Sequence, residues 1–312
     1  MRSHHPPMDC PEGAERQNAP MDVKTLDRPD GTTLVALVDG DAPAGAELLV
    51  YHHGTPAAGP ADGLLLQAAR VAGFRLLEVV RPGYGPASRQ PGRTVADVVP
   101  MVEAWAAHLG AERFATIGWS GGGPHAIATA ALLPGRCVGA LSLAGVAPYQ
   151  AEGLDWTAGM GQDNLDEFAA SAAGEAELEA FLAAAHAGLS TVTGADVVEQ
   201  MASLLPEVDR EHLVGGFGDH LAAQIRWSLS TGIWGWFDDD LAFIAPWGFD
   251  LVNIEVPVLV WQGSDDLMVP FAHGQWLAAS IPGAVPHLKQ GEGHLSLAAG
   301  LQPGLEHLRS LL

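Results

Sequence analysis

The residues Gly118–Trp119–Ser120–Gly121–Gly122 make a G-x-S-x-G run directly after the apolar stretch 114–118 and directly before the helical pattern 122–133. A serine hydroxyl is a weak nucleophile until a base removes its proton. At a tight strand-to-helix turn the backbone is strained, so the residues flanking the serine must be tiny, and the turn lifts the hydroxyl to where a base can reach it. The same turn puts the Gly121 N–H at a helix N-terminus, aimed at a developing oxyanion. A base and an acid follow later in the chain. Gly293–His294 comes just after the apolar run 285–288, and Gly263–Ser264–Asp265–Asp266 just after the run 256–262. Imidazole titrates near neutral pH, so His294 can take the serine proton and later protonate the leaving group. A carboxylate behind it, Asp265 or Asp266, would hold its tautomer and stabilise the imidazolium.

These groups need a scaffold that brings distant segments to one place. From Val23 onward, short apolar runs (32–38, 48–51, 74–80, 114–118, 138–144) alternate with helical patterns (64–71, 94–109, 122–133). Such alternation implies βαβ units and a mostly parallel sheet, and these sheets carry their sites beyond the carboxyl ends of the strands. Each glycine motif falls at such an end. Between about 148 and 253 the alternation stops, and an Ala-rich, acidic segment with helical patterns at 166–187 and 195–205 takes over. It reads as a helical cap inserted between two strands. A strand (256–262), a helix (271–279), a last strand (285–288) and a closing helix (295–312) interrupted near Pro303 complete the chain.

At these residues the chain resembles the α/β-hydrolase superfamily, and in particular its capped esterase, iminopeptidase and haloperoxidase-like branch. The resemblance runs from about Val23 to the C-terminus and adds two turns to the motifs above. His53–Gly54–Thr55–Pro56 resembles the family's oxyanion turn after the third strand, and Arg81–Pro82–Gly83–Tyr84–Gly85 its R-P-G turn. The order Ser120, Asp266, His294 is the one known for this fold and differs from the chymotrypsin and subtilisin orders. The resemblance implies an α/β-hydrolase fold, a mostly parallel eight-stranded sheet flanked by helices with an inserted helical cap. The core is expected over 23–147 and 254–312 and the cap over 148–253, while residues 1–22, polar and without a helical or strand pattern, read as a disordered leader. The resemblance selects Asp266, three residues after the glycine and four before Pro270, with Asp265 as a solvated turn residue. It implies a second oxyanion donor, the Thr55 N–H, beside that of Gly121, no chemistry in the R-P-G turn, and no cofactor.

Other residues have plainer readings. Trp119 beside the nucleophile, and Trp234 and Trp236 in the cap, are candidates for the substrate pocket. The run Asp238–Asp239–Asp240 reads as a cap turn or helix N-terminus rather than a metal site, since no metal-binding spacing accompanies it. His52, His53, His125, His273 and His287 read as packing or hydrogen-bonding residues. Gly215–Gly216–Phe217–Gly218 could hinge the cap or be ordinary loop.

Composition sets limits. Apolar residues make up 48% of the 312, enough for a large core. The formal charge is −22, with Lys24 and Lys289 the only lysines, so nucleic-acid and anionic-membrane partners are not expected. No apolar run reaches the ~18 residues of a membrane span. The two cysteines, Cys10 and Cys137, read as free thiols in a reducing, cytoplasmic setting, and the first twenty residues lack the apolar stretch of a secretory signal. The expected activity is hydrolysis of an ester, thioester or lactone with an apolar or aromatic group. A peptidase or amidase of the iminopeptidase kind is the second reading, and a non-catalytic ligand binder the third. Dehalogenase and epoxide-hydrolase chemistry is disfavoured, because in this fold it uses an aspartate at the position of Ser120.

Overall fold

The computed structural model describes residues 21–60, 63–213 and 216–312. The leader through residue 20, with Cys10 and the His4–His5 pair, and Gly215 of the glycine-rich run lie outside the described residues. Eight strands form one sheet in the order β1-β2-β4-β3-β5-β6-β7-β8. These are β1 (Asp22–Asp27), β2 (Thr33–Val38), β3 (Glu47–His52), β4 (Phe74–Val80), β5 (Phe114–Trp119), β6 (Cys137–Leu143), β7 (Val258–Gly263) and β8 (Val285–Lys289). β2 pairs antiparallel with both β1 and β4, and every other pairing is parallel.

The central strands are buried along nearly their whole length, as expected of parallel strands covered on both faces. Successive side chains serve opposite layers. Leu49, Tyr51, Ala115 and Ile117 join one apolar cluster, and Leu48, Val50, Phe114 and Leu77 join the other. Helices α1 (Gly63–Val71), α2 (Val99–His108) and α3 (Gly123–Leu132) follow strands β3, β4 and β5 in the chain. Among the described residues between β6 and β7 come six α-helices: α4 (Gln162–Ala173), α5 (Glu175–Leu189), α6 (Gly194–Gln200), α7 (Glu207–His212), α8 (Phe217–Ser228) and α9 (Trp234–Ile244). After β7 come α10 (Phe271–Ser280), α11 (Ser296–Ala299) and α12 (Gln302–Ser310). Among the described residues no helix is long and apolar enough to cross a membrane.

Three elements differ from the sequence reading, each for a local reason. The single helix expected over 94–109 begins as a 3-10 turn, Val95–Val98, before α2. Asp97 folds back onto the Thr94 N–H at 2.6 Å in a capping box. The pattern 166–187 is broken at Gly174, whose φ of 132° no L side chain adopts comfortably, into α4 and α5. The closing helix, expected to be interrupted near Pro303, breaks at Gly300–Leu301, and Pro303 sits in the first turn of α12, where its missing N–H is no loss.

The register brings the motifs together. His52 of β3 lies opposite Gly118 of β5, so the loop after β3 and the turn after β5 emerge side by side. Gly263 of β7 lies opposite Lys289 of β8, which does the same for the two loops bearing Asp266 and His294.

Candidate active site

Ser120 has φ of 54°, in the left-handed region that a residue with a Cβ enters only when its surroundings compel it. The surroundings do so through glycine. A Cβ on Gly118 would run into the carbonyl oxygen of Gly122, one on Gly122 into that of His52, and one on Gly121 into the Thr55 side chain. The three glycines let β5, α3 and the loop after β3 close around the serine.

Asp266 is buried (3% exposed), whereas Asp265 is exposed and accepts from the neighbouring Ser264 hydroxyl. One oxygen of Asp266 accepts the backbone N–H groups of Met268 and Val269, both at 2.8 Å. The other accepts from Gln262 Nε2 at 2.9 Å and from His294 Nδ1 at 2.8 Å. With Nδ1–H committed to Asp266, His294 keeps Nε2 as a free acceptor. Burial pulls the His294 pKa down, but the charge and hydrogen bond of Asp266, with the charge of Asp209, more than offset it and raise it above 6.5. The His294 ring stacks on Trp119 at 5.8 Å between centroids, so the residue next to the serine holds the imidazole from the side.

The turn at His53–Pro56 is held from below by a buried charge cluster. Arg81 donates to the carbonyls of His53 at 2.6 Å and Gly54 at 3.3 Å, and forks onto Asp239 at 2.9 and 2.6 Å. Arg93 and Tyr84 also reach Asp239, at 2.5 and 2.7 Å, and the Thr55 hydroxyl donates to it at 2.6 Å. Burial raises the Asp239 pKa, but the charges of Arg81 and Arg93 outweigh it and hold the carboxylate well below its usual range. Thus the R-P-G turn, expected to carry no chemistry, supplies the guanidinium that fixes the turn at residues 53–56. The run Asp238–Asp240 lies neither in a turn nor at a helix start: it is inside α9 and buried. Arg89 forks onto Asp238 with two bonds of 2.9 Å.

Ser120, Gly121 and Thr55 open onto a cavity of about 430 Å³ under the inserted helices. Its walls are mostly apolar, with Phe168, Phe181, Leu189, Met201, Ile225 and Phe243 among them. Of the three tryptophans expected at the pocket, Trp236 lines this cavity and the other two are not among its described lining. Trp119 stacks on His294, and Trp234 lies under the Arg89 guanidinium at 4.0 Å.

One residue escaped the sequence reading. Asp209, on α7 and fully buried, accepts the backbone N–H groups of His294 at 2.8 Å, Leu295 at 3.0 Å and Ser296 at 2.9 Å. Gly293 is needed beside it, since a Cβ there would strike the Asp209 carboxylate. No local pattern announces this contact, because the partners lie 85 to 87 residues apart. Four other buried histidines, His52, His53, His125 and His273, are hydrogen-bonded, and burial lowers the pKa of each. His53 donates from Nδ1 to Gly54 O at 2.7 Å and accepts the Arg81 N–H on Nε2, His125 donates to Gly121 O at 2.9 Å, and burial pushes both pKa values well below 6.5. Burial also lowers His52 to about 3 and His273 to about 4.

The profile of the α/β-hydrolase fold family matches residues 47–300, and the chain belongs to that family. Many solved structures share the fold. A hydrolase from Pseudomonas aeruginosa superposes with a TM-score of 0.62 at 22% identity, covering 93% of this chain and 98% of that one. An esterase from a Rhodococcus species gives 0.60 at 22% identity, with 93% and 98% covered. A bromoperoxidase from Bacillus anthracis gives 0.66 at 20% identity, with 93% and 99% covered. No curated protein matches the chain in a sequence search.

Proposed function

We propose that this member of the family is a serine hydrolase that cleaves a carboxylic ester, thioester or lactone through an acyl-serine intermediate. Ser120 attacks the carbonyl carbon while His294 Nε2 takes its proton. The backbone N–H groups of Gly121 and Thr55 stabilise the tetrahedral oxyanion, a contribution of roughly 3–4 kcal/mol per donor in such sites. His294 then protonates the leaving alcohol, and a water activated by the same imidazole releases the acid. Asp266 keeps Nδ1 protonated and stabilises the imidazolium. The chemistry draws on no cofactor, and the substrate is a small molecule with an apolar body that fills the cavity.

The observation that carries this reading is the 2.8 Å contact between His294 Nδ1 and Asp266, with the His294 ring stacked on Trp119, the neighbour of a serine held at positive φ at the cavity wall. Hydrolysis of a p-nitrophenyl ester series by the wild type and by Ser120→Ala tests it. Turnover by the wild type, reduced by ~10⁴ or more in the variant, is expected. Equal turnover by both would refute it.

A further inference from the structure

The cavity wall holds a pair of acids that the proposed chemistry leaves unused. Glu167 on α4 and Asp240 on α9 face one another closely enough to share a hydrogen-bonded proton. Glu167 also accepts the Trp236 indole N–H at 2.6 Å. Asp240 is fully buried, and apart from the proton it can share with Glu167 no N–H or O–H donor among the described residues reaches its oxygens. Its two predecessors on α9 are each matched by arginine, Asp238 by Arg89 and Asp239 by Arg81 and Arg93, whereas Asp240 has no basic partner among the described residues. The charged side chains of the described lining are Asp163, Glu167 and Asp240, all acidic.

Helix α9 sets how far this pair lies from the reacting centre. Trp236, Asp240 and Phe243 share one face at helical spacing and all line the cavity. The Phe243 ring lies against Gly121, next to the nucleophile. Asp240 is three residues from Phe243, about 4.5 Å along the axis. An anionic end of the cavity therefore lies on the same α9 wall that reaches the neighbour of Ser120. Aromatic rings in the same lining, Phe168 and Trp236, also suit a cation.

We propose that Glu167 and Asp240 form a subsite for a cationic amine carried on the substrate, one to four methylenes from the carbonyl. The inference rests on the proposed function only in taking this cavity as the substrate site. An ammonium there takes the place of the shared proton and donates to Glu167 and to Asp240, whose oxygens have no other donor among the described residues. The methylenes between carbonyl and amine lie along the apolar wall.

Binding to Ser120→Ala protein, which turns nothing over, separates this inference from the hydrolase reading. Ligand-observed NMR would compare the amides H₃N⁺–(CH₂)n–CONH₂, n from about one to four, each with the amide bearing a methyl group in place of the ammonium. At the best-fitting length the ammonium amide is expected to bind at least ~10-fold tighter, a preference of about 1.4 kcal/mol. Asp240→Asn and Glu167→Gln, introduced into the same background, should each erase that preference. Equal or tighter binding of the methyl amide at every length would overturn the proposal, and this comparison needs no pocket variant to fold. A preference that survives both substitutions would overturn it as well.

Discussion

The backbone N–H of His294 donates to the Asp209 carboxylate across 2.8 Å, so a helix of the inserted segment grips the loop that carries the candidate base. The same carboxylate takes the next two N–H groups of that loop. Three buried backbone donors thereby find an acceptor that the loop itself cannot provide. Helix α7 cannot lift away as part of a rigid lid without exposing them, which ties the position of the imidazole to the packing of α7.

Asp209→Ala would leave three buried N–H groups unpaired. The expected cost is about 2–4 kcal/mol of stability, read from urea unfolding. In steady-state ester hydrolysis kcat should fall by about 10–100-fold with KM nearly unchanged, as expected when the base is slightly misplaced. An unchanged kcat would mean that the loop holds His294 without α7.

Asp239→Ala would strand two buried guanidinium groups, Arg81 and Arg93. Breaking a buried pair from one side costs about 3–5 kcal/mol, which a shifted urea midpoint would record. Arg81→Lys should also impair turnover, because an ammonium cannot serve two backbone carbonyls and fork onto a carboxylate at once. Wild-type turnover in Arg81→Lys would show that the turn at residues 53–56 is rigid without that fork.

Two glycine substitutions should part company. Gly122→Ala drives a methyl group into the His52 carbonyl and should abolish activity or folding. Gly135→Ala meets nothing within 4 Å at an exposed site and should change stability by no more than about 0.5 kcal/mol. Thermal unfolding with a parallel ester assay would check both.

The pH profile follows from the raised pKa of His294. The base acts as neutral imidazole, so kcat/KM should fall as pH drops through a value above 6.5. Asp266→Asn removes the largest influence opposing burial and should move that inflection to lower pH while lowering turnover. The stability sign is opposite. A group whose pKa is raised on folding stabilises the folded state below its unfolded pKa, here about 6.5, and this stabilisation is lost as pH rises through the folded value. An inflection at or below 6.5 in the wild type would contradict this assignment of charges.

The sheet was readable because its signals are local. Apolar runs of strand length, helical spacing between them and a glycine motif at each strand end all lie within a few residues of one another. The contrast between Asp265 and Asp266 could be taken from a spacing pattern, and the structure gives it a physical form, one carboxylate exposed and one buried with four donors. What the sequence concealed depends on partners far apart in the chain. Asp239 meets Arg81 across 158 residues and Asp209 meets His294 across 85. In a linear reading Asp238–Asp240 looked like a cap turn or a helix N-terminus, because carboxylates such as Asp238 and Asp239 inside a buried helix make sense only once Arg81, Arg89 and Arg93 are seen against them. The tryptophans illustrate the same limit: residue type predicted aromatic walls, but only the packing of α9 separates Trp236 at the cavity from Trp234 under Arg89.

Reaction with a fluorophosphonate, followed by intact mass and peptide mapping, tests the central claim most directly. Single labelling at Ser120, absent in Ser120→Ala and strongly slowed in His294→Ala, is the predicted result. A folded wild-type protein that takes no label, or takes it at another residue, would contradict the assignment of Ser120 as an activated nucleophile.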